Sequence, residues 1–401
     1  MEQEEEKMEN EVNNSINNNE TPTTSTKQKI PCENGFAGIY PCQGYDLLGH
    51  VSLADFGSES GNDNWGWTDP ESGKEYVLSG LNDGTAFIDI TDPEKPLYLG
   101  KLPTATQSSS WRDIKVYNNH AFIVSEANNH GLQVFDLTRL RGLTSKQTFE
   151  ADNHIANFGR AHNIAINEET GYAYVIGSVL YGGGPVFIDI NDPKNPKVVG
   201  GYGDASYTHD AQIVVYNGPD ADYVGKELFF GSNSDGGENN QVVIVDVTDK
   251  TQPVLINTIT YSNGGYTHQG YLSEDHRYFF LGDELDELKF GSPTLTRIFD
   301  LSDIDSPALH FEYFSKVKAI DHNGYSKANQ FFIASYTAGM RVLDIAKIDD
   351  KEVVEFGYFD TFPANDDAEF KGVWNVYPYF KSGIIAINDI NSGLFLVKAP
   401  E

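Results

Sequence analysis

A short apolar segment that ends in an acidic residue returns along nearly the whole chain, and this recurrence limits the folds open to it. The clearest copy, at residues 241–249, reads QVVIVDVTD. The residues that align the copies are Asp89, Asp136, Asp189, Asp246, Asp300 and Asp344, with Lys398 in that place in the seventh copy. Successive spacings are 47, 53, 57, 54, 44 and 54 residues. Short strands that recur about every 40–50 residues are typical of β-propeller blades.

The repeat predicts one large all-β domain, a seven-bladed β-propeller of four-stranded antiparallel blades over residues 32–401. The last repeat reaches the end of the sequence without room for an outer strand, whereas a strand-like run at residues 45–53 precedes the first complete repeat. We therefore predict that residues 45–53 pair beside residues 394–398 and complete the last blade. This pairing closes the ring and removes an exposed sheet edge.

Residues 1–31 are acidic at first and then rich in Asn and Thr, with too few apolar side chains to offset the entropy of folding. We predict that they form a disordered tether. The two cysteines of the chain, Cys32 and Cys42, follow it directly. In an exported protein they are expected to close a disulfide loop, which stabilises by roughly 2–3 kcal/mol through chain entropy. Two free thiols are the alternative, because one cysteine pair does not fix the compartment.

The formal charge of −31, from 28 basic and 59 acidic residues, repels phosphate and argues against a nucleic-acid partner. Calcium or a cationic ligand suits this charge better. The sequence holds no run of about 18 apolar residues, so no transmembrane segment is predicted. Its 12% aromatic content is typical of extracellular β-proteins, although it opens without an apolar signal-peptide core. Either the protein is cytosolic or its targeting segment was removed, and the composition favours removal. We therefore expect an extracellular or outer cell surface location, with a lipid anchor as one form of attachment.

Several segments resemble a known family. QVVIVDVTD and its copies resemble the LVIVD repeat, and two other segments are similar to the choice-of-anchor B family of secreted propellers. Those segments read PCENGFAGIYPCQGYDLLGHVSL and WRDIKVYNNHAFIVSEANNHGLQVFDLTRLR. The resemblance covers residues 32–400 and implies export and surface attachment through a terminal anchor. It implies no agreed activity and no catalytic residues.

A second repeated feature lies where each innermost strand begins. Four consecutive repeats place a histidine and then a polar residue at one equivalent position, and two other repeats place Arg112 and Trp374 there. The candidate ligand-binding residues are Arg112, Asp113, His162, Asn163, His209, Asp210, His268, Gln269, His322, Asn323 and Trp374. Because innermost strands line the axis of a propeller, His162, His209, His268 and His322 are candidate ligands for one transition metal. The alternative is that these residues satisfy backbone groups between blades.

The loops between second and third strands are expected on the same face as the histidines, and recognition is therefore expected there. Their acidic residues could bind calcium through oxygen atoms, although none matches a twelve-residue calcium loop. Those residues are Asp235, Glu238, Asp283, Glu284, Asp286 and Glu287. Solvated turns are the alternative. Tyr207 and Tyr266 are candidates for stacking on a sugar or for acid catalysis, with packing between blades as the other interpretation.

Two functions fit these residues. The first is a non-enzymatic binding module for an extracellular glycan, peptide or protein on the histidine-bearing face. The alternative is a metal-dependent enzyme, either a polysaccharide lyase or an oxidase, with an axial histidine site. A shared metal also requires bulky groups opposite the histidines, and Trp65, Trp67, Trp111 and Trp374 are the candidates. The sequence contains no G-x-S-x-G elbow, phosphate-binding loop or zinc-type cysteine pairing.

Overall fold

A computed structural model describes residues 28–234 and 239–400, and in these ranges the chain forms a ring of seven blades, each built on four antiparallel strands. This confirms the predicted fold class. From the axis outwards, blade 1 contains β4 (Gly61–Thr68), β5 (Glu75–Leu81), β6 (Gly84–Asp89) and β7 (Leu97–Pro103). Blade 2 contains β8 (Arg112–Tyr117), β9 (His120–Ser125), β10 (Leu132–Asp136) and β12 (Asn153–Ile155). Blade 3 contains β13 (Asn163–Asn167), β14 (Tyr172–Ile176), β15 (Val186–Asp189) and β16 (Lys197–Gly201).

Blades 4 to 7 repeat this order. Blade 4 contains β17 (Thr208–Val215), β18 (Glu227–Asn233), β19 (Gln241–Asp246) and β20 (Val254–Thr260), and blade 5 contains β21 (Thr267–Leu272), β22 (Tyr278–Asp283), β23 (Leu295–Asp300) and β24 (Ala308–Phe314). Blade 6 contains β25 (Gly324–Lys327), β26 (Gln330–Ser335), β27 (Gly339–Lys347) and β28 (Glu352–Phe359). Blade 7 contains β29 (Val373–Tyr377), β30 (Ile385–Asp389), β31 (Gly393–Lys398) and β3 (Asp46–Val51). The short helices are α1 (Leu53–Phe56) and α2 (Asp286–Phe290), with 3-10 turns at Leu137–Leu140, Tyr181–Gly183 and Ile348–Asp350. Among the described residues, no helix has the length and apolar character needed to cross a membrane.

The repeated third strand is apolar throughout because it packs against two neighbours at once. In β19, Val242 and Ile244 join the core shared with blade 5, whereas Val243 and Val245 join the core shared with blade 3. Successive side chains of a strand point to opposite faces, so a sheet covered on both faces needs an unbroken apolar run. Each fully buried aliphatic side chain contributes roughly 1.5–3 kcal/mol.

The aspartate at the end of the repeated strand has a local role. The Asp246 carboxylate accepts a hydrogen bond from the backbone N–H of Thr248 at 3.0 Å, which fixes the turn that follows. The equivalent bond forms at Asp89, Asp136, Asp189, Asp300 and Asp344. The aspartate recurs because each turn back to the outer strand needs this acceptor.

The ring closes through the N-terminal strand, as predicted. β3 pairs antiparallel with β31, from Asp46 opposite Lys398 to Val51 opposite Leu394. All of β3 is buried. The strand is shorter than the predicted residues 45–53, because Ser52 caps α1 through a hydrogen bond from the Asp55 backbone N–H.

Blades 1 and 6 gain strands beyond the predicted four. β11 (Gln147–Thr148) pairs in parallel with β7 at the outer edge of blade 1. β2 (Tyr40–Gln43) pairs with β28, and β1 (Phe36–Ala37) pairs with β2, at the outer edge of blade 6. These strands cover sheet edges that otherwise present unpaired backbone groups.

A disulfide joins Cys32 to Cys42 and ties this N-terminal hairpin together, which decides between the two predicted states of the cysteines. Just before it, Ile30 exchanges backbone hydrogen bonds with Leu47, and Lys29 Nζ lies 2.8 Å from an Asp46 carboxylate oxygen. Lys29 and Ile30, which belong to the proposed tether, therefore contact the propeller. Residues 1–27 lie outside the described residues, and their role as a tether stays a prediction.

Polar side chains on or next to the innermost strands bind several neighbouring blades to one another. The Gln269 side chain donates to the Gly324 carbonyl at 3.1 Å and accepts from the Gly324 N–H at 2.9 Å, which joins blades 5 and 6. Similar bonds join other blades: Asp63 to Ile114, Gln212 to Leu272, Asn323 to Asn375, and Asn375 to Asn64. Near the axis the strands converge, so buried backbone groups there need side-chain partners.

We predict that Leu47→Ala in the closing strand lowers the free energy of unfolding by about 2–4 kcal/mol, since Leu47 is fully buried between blades 6 and 7. Leu97→Ala is the matched control because Leu97 lies on the outer strand of blade 1 and is 38% exposed. Its expected loss is below about 1 kcal/mol. Chemical denaturation measures both, and equal losses would contradict a stabilising role for the closing strand.

Asp360, which follows β28, gives a pH-dependent prediction. Burial raises the pKa of its carboxyl to about 7, although the Phe362 N–H donates to it. The folded state then binds more protons than the unfolded chain between about pH 4 and pH 7, so the contribution of Asp360 to stability falls as pH rises through that window. We expect Asp360→Asn to raise the free energy of unfolding by about 2–4 kcal/mol at pH 8 and to change it little at pH 4. An equal effect at both pH values would show that the Asp360 charge is not the cause.

Candidate functional site

The four repeated histidines form a continuous arc around the axis at the point where the innermost strands begin. The centroids of successive imidazole rings lie 4.1 Å apart for His162 and His209, 4.3 Å for His209 and His268, and 4.2 Å for His268 and His322. The repeat therefore brings all four side chains together. Their separations are short enough for neighbouring histidines to share one ion.

One ring nitrogen of three histidines is engaged in holding the ring in place. Nδ1 of His209 contacts the His268 carbonyl at 3.1 Å, and Nδ1 of His322 contacts the Trp374 carbonyl at 2.6 Å. A carbonyl only accepts, so each Nδ1 must carry the proton and each Nε2 keeps its lone pair. Nδ1 of His162 lies 2.6 Å from a Glu126 carboxylate oxygen. These three Nδ1 contacts join neighbouring blades, and Nε2 of His209 and His322 keeps a lone pair that can bind an ion.

Glu284 completes the arc from the loop between β22 and β23. Its two carboxylate oxygens lie 3.7 Å from His268 Nε2 and 3.8 Å from His322 Nε2. The Tyr336 hydroxyl donates to the same carboxylate at 2.8 Å and fixes its orientation. One atom from each of His268, Glu284 and His322 can be chosen so that all three lie within 4.8 Å of one another.

The arc encloses a cavity of about 30 Å³. Its lining combines six aromatic rings with the histidines and two carboxylates: Trp111, Glu126, His162, Tyr207, His209, Tyr266, His268, Glu284, His322, Tyr336, Phe370 and Trp374. This volume admits one or two water molecules or a single ion, but not a sugar ring. Trp111, Glu126 and His162 are only partly buried, so solvent reaches the cavity on their side.

Burial sets the protonation of the site. It lowers the pKa of His322 to about 3 and the pKa of His209 and His268 well below the usual value, and repulsion between the imidazoles acts in the same direction. Burial raises the pKa of Glu284 to about 7. His209, His268 and His322 are therefore neutral near pH 7, which is the form that binds metals.

The polar residues that directly follow Arg112, His162, His209 and His322 lie one layer further along the axis. Asp113, Asn163, Asp210 and Asn323 line a second cavity of about 20 Å³ on the other side of the imidazoles. Lys115 Nζ, at 2.7 Å, neutralises Asp113. These four residues thus belong to the channel, but they are not in the pocket that holds Glu284.

Two predicted residues serve mainly to join blades. Gln269 is occupied by both of its bonds to Gly324, as described above. Arg112 donates through Nε to the Leu81 carbonyl at 3.1 Å, and its Nη1 lies 3.2 Å from His130 Nε2. Trp374, in contrast, lines the cavity and contacts His322 with ring centroids 4.9 Å apart.

The four tryptophans do not share one location. Trp111 and Trp374 line the same cavity as the histidines. Trp65 instead lines a cavity of about 290 Å³ at the other end of the channel, with Lys115, Asp210, Tyr271 and Tyr325. Trp67 packs on Tyr76 in the core between blades 1 and 2, so its predicted axial role is wrong.

The acidic loops also differ from the expectation of solvated turns. Asp283, Glu284, Asp286 and Glu287 are all buried. Asp283 accepts from the backbone N–H groups of Gly265 and Tyr266, which excludes a solvated role for it. Asp235 and Glu238 lie outside the described residues. Glu126 and Glu284 were not assigned to the histidine site, although each lies at the start of a loop that the repeat places on the same face.

Comparisons with known proteins support the fold and the repeat. The profile of the LVIVD repeat matches residues 236–260, the segment that contains β19 and β20. No curated protein matches the sequence of the chain.

Solved structures that resemble this chain are propellers of different kinds. Hydrazine synthase of Kuenenia stuttgartiensis aligns with a TM-score of 0.55 and 11% identity over 80% of this chain and 91% of its own. The β-propeller domain of Cps50 (Swd1) from Myceliophteria thermophila aligns with a TM-score of 0.53 and 11% identity over 81% and 93%. A functionally unknown protein from Desulfotomaculum acetoxidans gives 0.51 and 14% over 81% and 94%. At such identities the likeness shows the fold alone. The chain is a seven-bladed β-propeller whose fourth blade carries an LVIVD repeat.

Proposed function

We propose that this protein is a secreted or surface-attached binding module in which a transition metal on the propeller axis contacts the ligand. The observation that carries the proposal is the convergence of His268, Glu284 and His322 on a cavity the size of an ion. The ligand is an extracellular glycan, peptide or protein. Attachment follows the choice-of-anchor B pattern, with a lipid anchor as one form, and the disulfide supports an oxidising location.

The donor set favours zinc or a neighbouring divalent transition metal. Two imidazole nitrogens with one carboxylate is a combination that binds Zn²⁺ and leaves a fourth position open. The bond from His322 Nδ1 to a backbone carbonyl is the usual outer contact of a metal-binding histidine, since it fixes the ring and its tautomer. Closing the 3.7–3.8 Å gaps around an ion requires only small side-chain shifts.

The cavity volume restricts how a ligand can reach the ion. At about 30 Å³ the site can admit one donor atom of the ligand, such as a carboxylate or hydroxyl oxygen. The rest of the ligand must lie outside, on the side of Trp111, Glu126 and His162, where the wall is partly exposed. The aromatic ring of Trp111 there offers a surface for stacking on a sugar or a peptide side chain.

A metal-dependent enzyme, a polysaccharide lyase or an oxidase, is the second candidate. The observation that favours it is the presence of Tyr207, Tyr266 and Tyr336 in the lining of the same cavity. A tyrosine hydroxyl next to an open metal position can act as an acid or base on a bound substrate.

Metal analysis tests the proposal. Protein purified without a histidine tag is expected to bind about one transition metal ion per chain, and Glu284→Gln should weaken binding at least about tenfold, because it replaces an anionic ligand with a neutral amide. Glu274→Gln is the matched control, since Glu274 is exposed and also accepts a hydrogen bond. Less than about 0.1 metal per chain, together with unchanged stability in chelator, would reject the metal site.

Ligand binding is then measured on glycan and peptide arrays with and without metal. Binding that is lost in chelator and in Glu284→Gln supports the axial contact. Binding that is unchanged in both would place the ligand elsewhere. Metal-dependent cleavage or oxidation of a bound polysaccharide would reject the binding-module proposal in favour of the enzyme.

A further inference from the structure

A second group of carboxylates lies behind the axial site, where blades 5 and 6 meet. Asp286 and Glu287 begin α2, two and three residues after Glu284, and Asp321 directly precedes His322. All three side chains are buried, with exposed fractions of 1%, 4% and 3%. One oxygen from each can be chosen so that the three lie within 4.8 Å of one another.

These carboxylates lack the hydrogen-bond donors that buried acids normally have. Among the described residues, none donates to Asp286 Oδ1, to either oxygen of Glu287 or to Asp321 Oδ1. Asp283, in the same loop, accepts from two backbone N–H groups and from the Tyr261 hydroxyl. Asp283 therefore has hydrogen-bond donors for both of its oxygens. Asp286, Glu287 and Asp321, in contrast, have oxygens that lie close to one another and lack donors. A buried anion without a partner is costly, so a missing counter-charge is indicated.

The charge of the group gives the size of that counter-charge. Arg297 binds Asp286 Oδ2 through Nη1 at 2.8 Å. Its Nη2 donates to the Asn263 carbonyl at 3.1 Å. When all three carboxyls are ionised, they and the guanidinium carry a net charge of −2. A divalent cation balances this charge, and it also supplies a partner for each unsatisfied oxygen.

We infer that Asp286, Glu287 and Asp321 form a structural site for a divalent cation, with Ca²⁺ as the ion. The donors on these three side chains are all oxygen, which selects a hard cation rather than the transition metal proposed for the histidines. Ca²⁺ also tolerates irregular geometry and accepts carbonyl and water oxygens in its remaining positions, whereas Mg²⁺ requires a nearly regular octahedron.

The position of this site indicates what the ion does. It joins α2, which follows Glu284, to the segment that enters β25 and carries His322. Asp286 and Glu287 lie within three residues of Glu284, and Asp321 is adjacent to His322 in the sequence. The ion would therefore hold the Glu284 loop of blade 5 against blade 6. The inference does not depend on the axial metal, because the two sites share no side chain.

Calcium binding to the full chain tests this inference. Protein treated with EGTA is expected to melt at a lower temperature than untreated protein, and added Ca²⁺ should restore the loss, whereas equimolar Mg²⁺ should not. Calorimetric titration should give about one Ca²⁺ per chain. Glu287→Gln keeps the shape of the side chain and should weaken Ca²⁺ binding at least about tenfold.

Two control variants separate this site from its surroundings. Glu312→Gln alters an acid 3.9 Å from Arg297 Nε and outside the group, and should leave Ca²⁺ binding unchanged. Glu284→Gln should lose the transition metal and keep Ca²⁺, so failure of one site is distinguishable from failure of the other.

Absence of Ca²⁺ binding to the wild-type protein at millimolar concentration would overturn the inference and show that protons neutralise the carboxylates. Equal stabilisation by Mg²⁺ would overturn the choice of ion. Loss of Ca²⁺ binding in Glu312→Gln would show that the ion is held elsewhere.

Discussion

Pairing of β3 with β31 is the interaction on which the rest of the ring depends. Each blade has two apolar faces, and each face is buried only when a complete blade lies beside it. Without β3, blade 7 would lack its outer strand, and the cores it shares with blades 6 and 1 would open. Leu47 contributes to the first of these cores and Leu48 to the second, so one short strand seals both sides of the junction.

Convergence of the innermost strands explains why the axis is polar. Backbone groups near the axis are buried but cannot all pair within a blade, and side chains such as Gln269 and Asn375 supply the missing partners. His162, His209 and His322 extend this system through Nδ1. An imidazole has a second nitrogen, so a residue that joins blades can also present a ligand atom to the channel. Structural and functional interpretations of the His arc are therefore compatible.

The loop between β22 and β23 concentrates the unusual electrostatics of the molecule. Asp283 accepts from two backbone N–H groups and the Tyr261 hydroxyl. Glu284 lies next to the histidines, and Asp286 and Glu287 lie next to Asp321. Burial of so many carboxylates in one segment is unfavourable unless cations or protons compensate for it. The chain has a formal net charge of −31, and part of its acidic content is buried in this one loop.

The sequence by itself determined the number of blades, the closing strand and the equivalent positions of the four histidines, because all of these follow from a repeat that fixes each residue's blade and strand. It did not determine the role of Glu126 or Glu284, since loops do not share the periodicity of the strands. Glu126 reaches His162 from 36 residues away, and that contact exists only when two blades are packed side by side. The tertiary structure also decided where the side chains of Trp65 and Trp67 lie. One strand carries both, but depth along the axis and packing against the neighbouring blade, which no local pattern encodes, place them in different environments.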